Sequence, residues 1–215
     1  MSKKVYTFFD IRIRSIPVQS IDNRVIRRIY SMNRGCVFTP SKFFNLGTKD
    51  AVRKALERLT FLGIIRRLAR GLYYYPRKHP VLGELPADYN LIGKALADRD
   101  NLRIQPSGAY AANLLGLTEQ VPAKIIFLTD GKGRTINIGN RQIVLKRTTP
   151  KNVAAAGRIS GLVIQALRYM GKDHVDARMI KKLQNILSPR DKKQLMKDIQ
   201  YAPDWIGKIF RELGE

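Results

Sequence analysis

The first helical repeat begins after Ser20, where Ile21, Val25, Ile29 and Met32 recur at spacings of four, four and three. Such a stripe belongs to a helix that buries one face, and Arg24, Arg27 and Arg28 lie off it. Ser20 supplies an N-cap and Asn33-Arg34-Gly35 a stop. Upstream, residues 5–14 end in the alternation Ile11-Arg12-Ile13-Arg14, the pattern of a strand or extended arm, which Pro17 closes. Thr39 before Pro40 predicts a short helix over 40–45, because proline suits the first helical position. Phe43, Phe44 and Leu46 give it an apolar face. Gly47 then turns the chain and Thr48 caps a helix over 49–62. At 100° per residue, Val52, Ala55, Leu56, Leu59 and Leu62 fall on one side, with Asp50, Arg53, Lys54 and Glu57 on the other. Gly63 ends it, and segments 64–68 and 72–75 flank Ala69-Arg70-Gly71 as in a β-hairpin with glycine at its turn. Helix, short helix, turn, helix and basic hairpin, in that order, predict a winged helix-turn-helix over residues 1–78.

Pro76-Arg77-Lys78-His79-Pro80 reads as a stiff basic linker, which places a domain boundary near residue 79. Beyond it, Asp88 caps a helix over 89–97, residues 102–104 form a short strand, and 107–115 form a small-residue helix. Strands follow over 124–128, 134–138 and 141–146, the last two joined by a tight turn at Gly139-Asn140. From Arg158 the pattern turns helical, with Ile159, Leu162, Val163, Ala166, Leu167 and Met170 on one stripe. Further helices are expected over 177–187, 190–199 and 203–213, with Ser188 and Asp204 at or beside their caps. The predicted class is α+β: a winged helix-turn-helix, then a mixed α/β domain over 79–215 with a helical tail.

Charge narrows the function. The chain of 215 residues carries a net +23, which points to a polyanionic partner, since each neutralised phosphate releases condensed counterions. Residues 1–78 hold 18 Lys and Arg against 4 Asp and Glu, and residues 79–215 hold 22 against 13, so the first domain is the more basic. A membrane is not expected as the polyanion, because no stretch approaches the roughly 18 apolar residues of a spanning helix. The N-terminus lacks a signal-peptide core, since Asp10 interrupts the run after Lys3 and Lys4. Cys36 is the sole cysteine, as suits a reducing compartment, and the expected location is cytoplasmic. Cys36, His79 and His174 lie too far apart in sequence to suggest a metal site.

Nothing in the sequence assembles a catalytic constellation. Gly131-Lys132-Gly133-Arg134 lacks the spacing of a phosphate loop, and Asp130 has no acidic neighbour between Glu119 and Asp173. Ser107 and Ser160 have no histidine nearby in sequence. The expectation is a non-enzyme with no cofactor.

In a winged helix-turn-helix the second helix enters the major groove by its N-terminal residues. The N–H groups near Thr48 and Lys49 then face a phosphate, while Arg53 and Lys54 face the groove. Asp50 is a lesser candidate, as acceptor from a cytosine amino group or partner of the helix dipole. Arg66, Arg67 and Arg70 line the wing, and Arg27, Arg28 and Arg24 are candidate flanking phosphate contacts. The competing reading for all of these is a solvated charged face. Tyr73 to Tyr75 read as hairpin core rather than as a stacking platform for bases.

With these residues set out, the chain resembles the AbiEi-type antitoxins of type IV toxin–antitoxin systems. The likeness lies in Val37-Phe38-Thr39-Pro40-Ser41 with Phe43, in Ala51 to Leu56 with Arg58-Leu59, and in Arg66 to Arg70 with Gly71-Leu72-Tyr73. It continues in Pro106-Ser107-Gly108, in Ala111, Asn113 and Leu115-Gly116-Leu117, in Leu128-Thr129-Asp130-Gly131 and in Gln165 to Arg168. The resemblance implies a repressor that binds inverted repeats of double-stranded DNA in its own promoter, an arrangement that suits a homodimer. It also implies a nucleotidyltransferase toxin opposed without a stable complex, and Arg58 joins the expected DNA-binding residues. The alternative is a nucleic-acid enzyme or RNA-binding regulator that works through the C-terminal domain.

Overall fold

The computed structural model describes residues 20–214, so the strand or arm expected over 5–14 lies outside the described residues. Packing divides the chain between Ala95 and Leu96 into two compact units.

In the first unit, helix α1 (Ile21–Tyr30) opens where the Ser20 hydroxyl accepts the Asn23 N–H at 3.2 Å. It buries Val25, Ile26 and Ile29. Strand β1 (Val37–Phe38) leads into a 3-10 turn, Pro40–Phe43, and then into helix α2 (Lys49–Phe61). The expected short helix is thus a single 3-10 turn, and the Thr39 hydroxyl meets Ser41 Oγ at 2.7 Å instead of capping it. Strands β2 (Arg66–Ala69) and β3 (Leu72–Tyr74) form an antiparallel hairpin with an irregularity between Arg67 and Ala69. Gly71 takes a φ of +68° at its turn, where a side chain would be strained. β1 pairs with β3, so the sheet order is β1-β3-β2. Both helices bury their apolar stripes in one core with Phe38 and Tyr73. There Phe38 meets the Phe43 ring edge-on at 5.3 Å and stacks on Tyr73 at 6.2 Å.

The segment expected to be a linker behaves differently. β4 (Lys78–His79) pairs antiparallel with β5 (Gly83–Glu84), and the Tyr74 hydroxyl donates to the Leu85 carbonyl at 2.8 Å. Those bonds carry the first unit past residue 79, and its limit falls inside helix α3 (Tyr89–Asp100). The start of α3 is as expected, with Asp88 Oδ1 accepting the Asn90 N–H at 2.7 Å. Its end comes three residues later than expected. Asn101 takes a φ of 51°, and the Leu102 N–H bonds back to the Ala97 carbonyl.

The second unit follows with β6 (Ile104–Pro106), helix α4 (Gly108–Leu114), β7 (Lys124–Thr129), β8 (Arg134–Ile138) and β9 (Arg141–Arg147). Because Leu102 closes α3, β6 starts two residues after its expected place. The sheet order is β6-β7-β9-β8; β7 and β9 run parallel, and each outer strand is antiparallel to its neighbour. Ile125, Phe127 and Thr129 alternate into the interior along β7. Helices α5 (Ile159–Met170), α6 (Ala177–Ile186), α7 (Pro189–Lys197) and α8 (Asp204–Gly214) complete the unit. They share a core of Val163, Leu167, Leu183, Leu195, Ile206 and Phe210. The fold is therefore α+β. No helix among the described residues is long and apolar enough to cross a membrane.

Candidate functional site

The first two turns of α2 hold the most concentrated set of expected site residues. Thr48 is engaged locally: its Oγ1 accepts the Ala51 N–H at 3.3 Å and fixes the start of the helix. The first N–H groups beyond it have no intrahelical acceptor, as at any helix start. The Lys49 ammonium stands 5.8 Å from the Phe44 ring, which holds it at the helix entrance. Val52, Ala55, Leu56 and Leu59 are buried beneath, so Asp50, Arg53, Lys54 and Glu57 face outward together. Arg53 Nη1 lies 3.3 Å from Asp50 Oδ1, with side chains 59% and 83% exposed. Lys54 is exposed and has no ion-pair partner among the described residues.

Other expected residues are held by acids that sequence reasoning did not connect to them. Arg58 points to Asp22 of α1 and grips its carboxylate through both Nε, at 2.6 Å, and Nη2. That hydrogen bonding raises the Arg58 pKa further, and the pair joins α1 to α2. Arg66 does the same with Glu84 of β5, at 3.1 and 2.9 Å, and so ties the second hairpin to the first. Arg67 is exposed on β2, and Arg70 is exposed at the hairpin turn beside Gly71. On α1, Arg24, Arg27 and Arg28 are exposed opposite Val25, Ile26 and Ile29. The tyrosines are interior, as expected of a hairpin core. Burial pushes the Tyr73 phenol up, and Tyr75 lies beneath the Arg34 guanidinium at 4.8 Å.

Charged groups of the second unit form paired arrangements. Arg99, ahead of Arg134, holds the Asp100 carboxyl below the usual range, and Arg103 does the same for Asp130 at 2.9 Å. The Gly131 N–H donates to Thr129 Oγ1 at 3.1 Å, so the loop considered as a phosphate cradle is a local turn. Asp198 is buried, where Arg158 at 2.9 Å, Gln194 at 2.9 Å and the Ser160 hydroxyl surround its carboxylate. Between α6 and α8 lies an open groove of about 570 Å³ with Val175, Ile180, Trp205 and Ile209 on its walls. No group of three or more His, Cys, Asp or Glu side chains is placed to hold a metal among the described residues. Burial pushes the Cys36 thiol up.

The architecture defines an α+β protein of two units, with its exposed cationic helix start and hairpin in the first. The chain belongs to a family of unknown function, DUF6088, whose pattern matches residues 24–195. No curated protein matches the sequence. Among solved structures, the chain is similar to the RV2827C protein from Mycobacterium tuberculosis, at 15% identity and a TM-score of 0.46, over 93% of this chain and 77% of that one. A likeness of that degree carries no argument about what this chain does.

Proposed function

We propose that the first unit is a winged helix-turn-helix that binds duplex DNA. In this reading α2 enters the major groove by its first two turns, and the β2–β3 turn is the wing. The observation that carries it is a hydroxyl-capped helix whose outward face begins Lys49, Asp50, Arg53 and Lys54, followed directly by a hairpin bearing Arg67 and Arg70. The N–H groups at the start of α2 would hold a phosphate, and Arg53 and Lys54 would reach the groove. Arg67 and Arg70 would contact the neighbouring backbone. Arg58 and Arg66 act mainly as straps that fix α1 and the second hairpin, because their carboxylate partners occupy them.

The chain should bind its own upstream DNA more tightly than a scrambled duplex of the same length at physiological salt, measured by fluorescence anisotropy. Equal affinity for the two would sink this reading. An antitoxin role, with repression of its own promoter, follows from the resemblance to AbiEi-type proteins. Its test is co-expression with the nucleotidyltransferase expected from the neighbouring reading frame. Growth should be restored without co-purification of the two proteins, and continued growth arrest would remove the antitoxin half.

A further inference from the structure

Asp50 stands on the outward face of α2 one turn before Arg53, within a surface that is otherwise cationic. As a bare charge it would weaken binding to every duplex, since a carboxylate repels phosphates. As an exposed ion pair it adds little stability. Its geometry suggests another use. Asp50 Oδ1 engages Arg53 through Nη1 alone, at 3.3 Å, and among the described residues nothing bonds to the Nε and Nη2 edge of the guanidinium. Arg58 and Arg66 differ, because each gives Nε and Nη2 to one carboxylate and has that edge occupied.

We propose that Asp50 is a positioning residue: it restrains the Arg53 guanidinium so that its open edge meets O6 and N7 of one guanine in the major groove. The proposal rests on the duplex-DNA reading of α2. A free arginine loses considerable rotamer entropy on forming a bidentate contact, and a carboxylate that already restrains the side chain lowers that loss. A guanine offers two acceptors on its major-groove edge, and arginine is the side chain that matches them with two parallel N–H groups. Lys54, a point charge with no such restraint, is suited to phosphate. The helix dipole also favours an acid at position 50, but that effect acts on stability and needs no partner at 53.

The sign of one substitution separates these roles. Full-length wild type, Asp50→Asn, Arg53→Ala and the double variant are titrated against the upstream DNA, a scrambled duplex, and upstream variants with each guanine replaced in turn. Arg53→Ala should lose preference at one G·C pair by roughly tenfold or more. Asp50→Asn should lose several-fold at that same pair, and the double variant should be no worse than Arg53→Ala. Affinity of Asp50→Asn for scrambled duplex should equal or exceed that of wild type. Both side chains are exposed, so melting curves should stay close to wild type and show that folding is intact. Asp50→Asn that keeps full preference while Arg53→Ala loses it would overturn the positioning role and leave the duplex-DNA reading in place. Equal weakening on every sequence would overturn it too. A wild-type chain that fails to prefer its upstream DNA overturns the duplex-DNA reading itself, a separate result.

Discussion

Helices α2 and α7 open alike and are held differently. Thr48 and Ser188 each cap through a side-chain oxygen, at 3.3 and 3.2 Å, and each helix begins with basic residues and one acid. In α7 the acid turns back: Asp191 Oδ2 accepts the Ser188 N–H at 3.0 Å and closes a capping box. In α2 the acid turns forward, from Asp50 to Arg53. The anchoring differs as well, since α2 buries four apolar side chains and α7 buries Leu195 alone. After α2 the chain runs into a basic hairpin, whereas after α7 it runs into the 3-10 turn Ile199–Tyr201 and then α8. A basic, capped helix start therefore occurs in both units and does not by itself single out α2. The apolar anchoring beneath it, the direction of its carboxylate and the element that follows separate α2 from α7.

The largest effects should come from the anchors. Leu56→Ala removes a fully buried side chain from the middle of the α2 stripe and should cost roughly 2–5 kcal/mol. Amide exchange should then accelerate across α1, α2 and the β2–β3 hairpin together. Leu195→Ala opens a cavity in the core that α5, α6, α7 and α8 share, so exchange should accelerate most over Pro189–Lys197, whose one buried apolar side chain it removes, and less over α5 and α8. If Leu195→Ala exposes α5 and α8 equally, α7 is as firmly built in as α2 and the contrast fails.

Equal losses of charge should then have unequal consequences. The pair Arg53→Ala with Lys54→Ala should reduce discrimination between upstream and scrambled DNA by about 1–3 kcal/mol. The pair Arg190→Ala with Lys193→Ala removes the same charge from α7 and should leave that ratio intact. Any loss of affinity there should be uniform across sequences and should appear as a shallower salt dependence. Relaxed discrimination from the α7 pair would break the comparison and move the reading surface to the second unit.

How much of this was legible in the sequence depended on the range of the signal. α1, α2 and the β2–β3 hairpin were readable because their apolar repeats, caps and turn glycine are local features, repeated over several residues. The β4–β5 pair was not, since two-residue strands have no periodicity and Pro76 and Pro80 point to a linker. The Asn101 cap hid behind the polar run Asp98-Arg99-Asp100, which carries no apolar repeat to mark how far α3 continues. The straps from Arg58 and Arg66 join residues 36 and 18 positions apart, so only the folded chain identifies Asp22 and Glu84. Asp50 and Arg53 are different. Their spacing of three places them side by side on a helix, and the pair was open to reading from the sequence.

The smallest effects should come from the caps, and they separate stability from recognition. Ser188→Ala loses the bond from the Asp191 N–H and the 2.7 Å contact between the hydroxyl and the Asp191 carboxylate. Thr48→Ala loses one bond, to the Ala51 N–H. Both should cost about 1 kcal/mol, with Ser188→Ala the larger, as measured by thermal unfolding. Binding should rank them in the opposite order. Fraying after Thr48→Ala falls on Lys49, Asp50 and Arg53, where the geometry of the proposed guanine contact is set, so discrimination should drop more than stability does. Fraying after Ser188→Ala falls on a helix with no proposed part in base reading, and discrimination should hold. Thr48→Ser should restore both properties, because the hydroxyl and not the methyl group sets the first turn of α2.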